Sequence, residues 1–273
     1  MIRSIWLACL LIPTVASAVQ IQVFTTVLPL KSLAEKIGGE HVNVTSMVGS
    51  GDDPHTFSPT SQQIARLAQA DLYITAGIEF EKAWMERIKS TNSEMEIIGD
   101  SNGHEHEHEH EHELDPHPWT SPLLAMNMAD TISDALIRID PNNHKFYDKN
   151  RYSLQAELSL LDQEIQKQLK NLKQRKFMVF HPAWGHFAER YGLTQISIEH
   201  EGKEPGARAL VELIREARKE KIRVIFVQPQ LSKRAAEQIA DAIGGRVVPI
   251  DPLSADYINN MRKISQQLSE TLQ

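Results

Sequence analysis

Short runs rich in Val, Ile and Phe recur along this chain, and between them the apolar positions follow a helical period. The runs of the first half are 21–25, 42–48, 72–76 and 96–98; those of the second are 177–180, 195–198, 223–227 and 247–250. Continuous apolar runs of this length fit buried parallel strands. In the first interval Leu30, Leu33, Ala34 and Ile37 share one helix face, and Gly38-Gly39 stops that helix. In the second half Ser232 can cap a helix that Gly244-Gly245 ends. Such alternation predicts an α/β fold, and four strands per half predict two similar lobes, each with a four-stranded parallel sheet. The two passages of helix, Gly-Gly and Val-rich strand are a short internal echo of each other.

Between the halves, Leu154, Leu158, Leu161, Ile165, Leu169 and Leu172 are spaced 4, 3, 4, 4 and 3 apart, which is one face of a helix. Asp140-Pro141 supplies the start signal. The pattern predicts one amphipathic helix over 141–172, about 30 residues and roughly 45 Å long. A helix of that length can run along both lobes and join them stiffly. A coiled-coil dimer is the competing reading, but the stripe lasts only about three heptads. The resulting organisation is a leader at 1–18, a first lobe at 19–140, the connecting helix at 141–172 and a second lobe at 173–273.

The leader changes how the rest is read. Arg3, the apolar run 5–12 and Ala16-Ser17-Ala18 make a secretory signal pattern, cut after Ala18. Residues 19–273 then number 255 and carry a formal charge of −8, since Arg3 is the leader's only charge. The one cysteine, Cys9, leaves with the leader, so neither a disulfide nor a thiolate metal cage is available. The expected location is the periplasm of a Gram-negative cell. The negative balance argues against a nucleic-acid partner.

Histidine supplies the candidate chemistry. Residues 104–113 read HEHEHEHEHE and hold five of the chain's twelve histidines. So polar a stretch buries too little to offset its ordering entropy, which predicts a loop. Its ordinary reading is a solvated low-complexity insertion. Its functional reading is weak, multi-mode capture of divalent metal by His104, His106, His108, His110 and His112.

A sharper set lies at strand ends. His55 follows the second strand in Asp53-Pro54-His55, and His117 follows the fourth in Asp115-Pro116-His117-Pro118-Trp119. His181 ends the fifth strand and Asp251 the eighth. Taken singly, each is an ordinary strand-end or turn residue. Together they occupy matching positions, and ligands in open α/β sheets gather beyond the carboxyl ends of the strands. Three imidazoles and one carboxylate form a tetrahedral set suited to Zn²⁺. His186 is expected to pack or hydrogen-bond nearby; His41, His144 and His200 read as structural or surface residues.

With these motifs in order, joined by Ser58-Pro59-Thr60, 180–187, Glu204-Pro205, Gln228-Pro229-Gln230 and Asp251-Pro252-Leu253, the chain resembles the zinc-binding proteins of bacterial ABC metal importers. These are the ZnuA-like branch of the zinc/manganese solute-binding family. The resemblance implies two Rossmann-like lobes, a rigid connecting helix and metal held between the lobes. It also implies ligand roles for His55, His117 and His181, with an acidic fourth ligand at Asp251. His at the third position is the zinc pattern; manganese, the alternative metal, goes with a carboxylate there. Two departures stand out. Thr120-Ser121-Pro122 replaces the common Leu-Asp-Pro, and Gly206-Ala207 replaces Ser-Pro.

The implied function is delivery of Zn²⁺ by a monomeric binding protein, not an enzyme, to the membrane permease of an ABC transporter. A periplasmic zinc buffer without a transporter is one alternative. A zinc hydrolase is the other, with Glu199 or Glu204 as base, although either reads more simply as a solvated or capping residue. A fourth protein ligand would fill the water position that catalytic zinc usually keeps open, and no His-Glu-x-x-His helix is present.

Overall fold

A computed structural model of the chain describes residues 20–99, 115–200 and 202–273. The leader and the His/Glu tract at 104–113 lie outside those residues. Four parallel strands form the first sheet: β1 (Ile21–Thr25), β2 (Val42–Ser46), β3 (Leu72–Ile74) and β4 (Glu96–Ile98). They stand in the order β2-β1-β3-β4. The second sheet repeats that order as β6-β5-β7-β8, with β5 (Lys176–Val179), β6 (Thr194–Ser197), β7 (Val224–Val227) and β8 (Arg246–Pro249). Register within the first sheet sets Ile21 beside Val42 and Val23 beside Leu72.

The strands are somewhat shorter than the apolar runs, yet the ladder continues past them. The amide of Val48 donates to Thr26 O at 2.9 Å, Phe180 to Phe226 O at 2.8 Å and Ile250 to Val227 O at 3.0 Å. The residues that carry His55, His181 and Asp251 toward the cleft therefore leave the sheets already hydrogen-bonded to them.

In the first half, α1 (Leu28–Gly38), α2 (Ser61–Leu67), α3 (Glu79–Thr91) and α4 (Pro122–Ile139) surround the sheet. Thr60 and Gln63 close a reciprocal capping box on α2. The helix α1 ends, as the Gly-Gly pair predicts, with Gly39 at φ 52°. The connecting helix begins with a 3₁₀ turn at Pro141–Asn143 and continues as α5 (His144–Leu169), 26 residues long. The turn arises because the Asp140 carboxylate gathers Asn143 Nδ2 at 2.6 Å and Tyr147 Oη at 2.8 Å. The helix is thus shorter than the expected 141–172 at both ends, although Leu172 still packs into the core.

The second half contributes α6 (Gly185–Tyr191), α7 (Ala207–Lys219), α8 (Arg234–Ile243) and α9 (Tyr257–Thr271). Gly244 ends α8 in the left-handed region at φ 63°. The departure at Gly206-Ala207 falls at the start of α7.

Helix α5 packs on α1 and α4 of the first half and on α6 and α9 of the second. Leu154, Leu158, Leu161, Ile165 and Leu169 are buried along its length, so the heptad-like stripe is spent within the chain. Asp162 fixes α6 to it, accepting from Arg190 Nε at 2.9 Å and Tyr191 Oη at 2.9 Å. Gln168 and Glu164 receive bonds from Ser265 and Arg262 of α9. One apolar cluster consequently runs from Leu33 through Leu158 to Phe187 and Leu268. A smaller one, with Met178, Ile225 and Ile239, fills the outer face of the second sheet. Among the described residues no helix is long and apolar enough to cross a membrane.

Candidate metal centre

Three of the four residues singled out at strand ends meet in the cleft. His55 Nε2 lies 3.2 Å from His181 Nε2, and His181 Nε2 lies 3.2 Å from His117 Nε2. His117 and His181 are buried, while much of His55 is exposed. Among the described residues no three or more His, Asp or Glu side chains stand apart around a point as a finished cage. The imidazoles touch one another instead.

The backbone at two of them, His55 and His117, and at Asp251 is fixed by the same device. In Asp53-Pro54-His55 the Asp53 Oδ1 accepts from the amide of His55 at 3.0 Å. In Asp115-Pro116-His117 the Asp115 Oδ1 accepts from the amide of His117 at 3.1 Å. In Asp251-Pro252-Leu253 the Asp251 Oδ1 accepts from the amide of Leu253 at 2.9 Å. Each Asp-Pro pair is thus an Asx turn, with proline fixing φ at the bend. Asp251 Oδ1 also receives Gln230 Nε2 at 3.1 Å. The cavity beside the imidazoles is lined by Gln228, Gln230, Pro252 and Leu253 rather than by Asp251 itself.

Two carboxylates orient the buried rings. His117 Nδ1 donates to Asp115 Oδ1 at 2.6 Å, and His181 Nδ1 donates to Glu199 Oε1 at 2.6 Å. Glu199 is buried, which corrects its reading as a solvated or capping residue; Glu204 is exposed, just ahead of α7. With Nδ1 carrying the proton, each neutral ring presents an Nε2 lone pair to the cleft. Neither carboxylate was given this orienting role from sequence. Asp115 had a signal, because Asp53-Pro54-His55 and Asp115-Pro116-His117 are the same tripeptide. Glu199 had none: only the pairing of β5 with β6 brings it to His181.

The His117 segment is locked to the second half. His186 Nε2 donates to Asp115 O at 2.8 Å, Trp119 Nε1 to Pro252 O at 2.8 Å and Tyr257 Oη to Trp119 O at 2.7 Å. His186 therefore fills the neighbouring role expected of it. Gly185 permits the approach, since a Cβ there would collide with Asp115 Oδ2. On the first-half side, buried Glu81 accepts the amides of Ala76, Gly77 and Ile78 and the hydroxyl of Thr26. It pins the loop that carries Ile78 into the cavity wall. Two further histidines are structural: His41 stacks edge-on against Phe146, and His144 bonds Pro141 O.

Burial, then the nearby His181, lowers the pKa of His55. Burial also lowers that of His117, against the pull of Asp115. Burial opposes ionisation of Asp115, but its bonds and charge interactions with His117 win and hold its carboxyl below the usual range. Unfolded imidazoles protonate near 6.5. Below that pH the unfolded chain binds more protons than the folded one, so stability of the metal-free protein is expected to fall as pH drops through 6.5 and lower. Urea midpoints at pH 7.5 and 5.5 test this; a higher midpoint at 5.5 would contradict it.

The chain matches the family described as zinc-uptake complex component A, periplasmic (ZnuA), over residues 23–271. It belongs to that family. It is 28% identical to a protein of Bacillus subtilis strain 168 named high-affinity zinc uptake system protein ZnuA, covering 93% of this chain and 88% of that one. It is 27% identical to the zinc-binding lipoprotein AdcA of Streptococcus pneumoniae, covering 92% of this chain but only 56% of AdcA. A crystal structure of ZnuA superposes with a TM-score of 0.87 at 38% identity, over 93% of this chain and all of that one. The two-sheet α/β architecture is therefore that of the ZnuA family.

Proposed function

We propose that the chain binds one Zn²⁺ tightly in the cleft, outside the cytoplasm, and hands it to the permease of an ABC importer. His55, His117 and His181 supply the nitrogen ligands through Nε2, and Asp251 supplies an acidic fourth donor through Oδ2, the oxygen its turn leaves free. The observation that carries this reading is the contact between the imidazoles. Two Nε2 lone pairs facing each other at 3.2 Å repel unless a cation lies between them. A tetrahedral zinc with bonds of about 2.0 Å sets its nitrogens about 3.3 Å apart, close to that spacing. Imidazole-rich sites favour zinc over manganese. The family, and the names of the relatives, support the same metal.

The assigning experiment is elemental analysis of protein purified without chelators, paired with cellular zinc content after deletion of the gene under zinc limitation. One zinc per chain and a drop in cellular zinc are expected. Zinc in the protein without any cellular drop would favour a buffer instead.

Glu199 and Asp115 hold the imidazoles in the ligating tautomer. Glu199→Gln and Asp115→Asn are each expected to weaken zinc about 10- to 100-fold. Competition with a chelator measures it, and an unchanged dissociation constant would remove the two carboxylates from the site.

The tract at 104–113 serves as a weak, multi-site collector. Changing its five histidines to Gln is expected to lower the number of loosely held zinc ions and slow uptake from scarce zinc. The tight site keeps its affinity, because its ligands lie on Asx turns and at the ladder-bonded end of β5. Unaltered stoichiometry and uptake would end that proposal.

A further inference from the structure

Gln228 and Gln230 stand in the wall of the small cavity beside the three imidazoles, which also line the broad vestibule of Glu79, Lys82 and Gly202. Gln228 is 4% exposed, on the ladder-bonded end of β7. Each of these two side chains has a buried carboxamide oxygen that finds no hydrogen-bond partner among the described residues. The Gln230 amide cannot simply turn over without loss, because its Nε2 is held by Asp251 Oδ1. Two orphaned acceptors in one wall are unfavourable by roughly 1–3 kcal/mol each by general experience, so their shared cavity is where a donor belongs.

The cavity measures about 30 Å³, room for a single water or little more. Its remaining polar lining is the imidazoles, Asp53, whose carboxylate is an acceptor only, and Trp119, whose Nε1 is given to Pro252 O. A water there can donate one hydrogen to each Oε1, which leaves its oxygen lone pairs pointing at the Nε2 cluster. A neutral imidazole whose Nδ1 carries the proton offers that water no donor, so the lone pairs suit only a cation.

We infer that Gln228 and Gln230 build a water site in the zinc cavity, and that its water is a metal ligand interchangeable with Asp251. This rests on the proposed zinc site. It gives the chain a way to lose its acidic ligand without stripping the metal: water takes the fourth position as the carboxylate leaves, and three neutral imidazoles and a water hold zinc less firmly than a set with a carboxylate. Asp251 and the water are joined through Gln230, whose one end holds Asp251 and whose other end holds the water. A shift of the Pro252-Leu253 segment would therefore move both.

The test is a double-substitution cycle read by chelator competition, with Gln228→Leu, Asp251→Ala and the pair. Gln228→Leu alone is expected to weaken zinc no more than about threefold, since Asp251 remains. In the Asp251→Ala background the same change is expected to cost about tenfold or more. Gln228→Glu, which keeps an acceptor, should retain the affinity that Leu loses. Deuterium modulation of a Cu²⁺-loaded sample in heavy water reads the ligand directly: it should show a bound water in Asp251→Ala and lose it in the double variant. Additive losses, or a bound-water signal indifferent to Gln228→Leu, would overturn the inference. Because both comparisons are made between metal-loaded proteins, a parent that binds no zinc overturns the proposed function itself. Equal melting temperatures of the metal-free variants separate a lost water from a damaged fold.

Discussion

Replacing His181 by alanine is expected to weaken zinc binding about 100- to 1000-fold. A four-ligand zinc site is worth about 10–16 kcal/mol in all, so one strong imidazole accounts for roughly 3–4 kcal/mol. His181 is the central member: its Nε2 touches both His55 and His117, which lie on different segments of the first half. It is also the one imidazole contributed by the second half, two residues past β5. Removing it leaves Glu199 buried with its partner gone, which adds a stability loss of about 1–3 kcal/mol in the metal-free protein. His55→Ala separates the two effects. His55 is only partly buried and, among the described residues, no hydrogen bond joins its ring to a carboxylate, so zinc affinity should fall comparably while metal-free stability stays within about 0.5 kcal/mol. Asp251→Ala should cost less, about tenfold, because its Oδ1 is already committed to the Asx turn and water can take its place. Chelator competition and urea unfolding on the same four variants, His117→Ala included, read both quantities. Unchanged affinity in all of them would remove the site.

The strands were legible because each is a short apolar run bounded by turn residues, and every one was placed within two residues of its true ends. The three histidines were legible because strand-end placement is a topological rule, and both sheets obey it. What lay beyond the sequence was long-range pairing. Helix α4 went unseen because its apolar positions Ala125, Ala129, Ile132 and Leu136 are small or scattered among polar ones, and Ser121-Pro122 resembles a loop. Helix α9 went unseen for a related reason: Ile258, Met261, Ile264 and Leu268 form a stripe, but it only buries because α5 passes beside it. Glu199 sits 18 residues from His181 in the chain and 2.6 Å from it in space, a distance that only the β5–β6 register creates. Asp-Pro occurs four times in the chain; at Asp53, Asp115 and Asp251 it forms an Asx turn, and at Asp140 it opens the connecting helix.

Zinc should raise the thermal stability of the whole chain, not of one lobe. The proposed ligands come from both halves, and the halves share α5, one continuous apolar cluster and the bonds from Trp119, Tyr257 and His186 across the cleft. An ion that binds only when His55, His117 and His181 are together binds only the folded, closed arrangement. Free zinc at 100 times its dissociation constant then stabilises by about 2.7 kcal/mol, and at 1000 times by about 4.1 kcal/mol. For a chain of this size each kcal/mol moves the midpoint by about 2–4 °C, so the first condition corresponds to a rise of roughly 5–11 °C. The gain should shrink in acid as protons compete for the same nitrogens. Since burial lowers the pKa of both His55 and His117, it should persist below pH 6.5 before it is lost. Calorimetry with zinc and with chelator at pH 7.5, 6.5 and 5.5 measures the difference. A single transition that moves as a unit is expected, because separate melting of the lobes would require α5 and the Trp119–Pro252 contact to part first. A midpoint indifferent to zinc at pH 7.5, or zinc shifting only one of two transitions, would contradict a metal held between the halves.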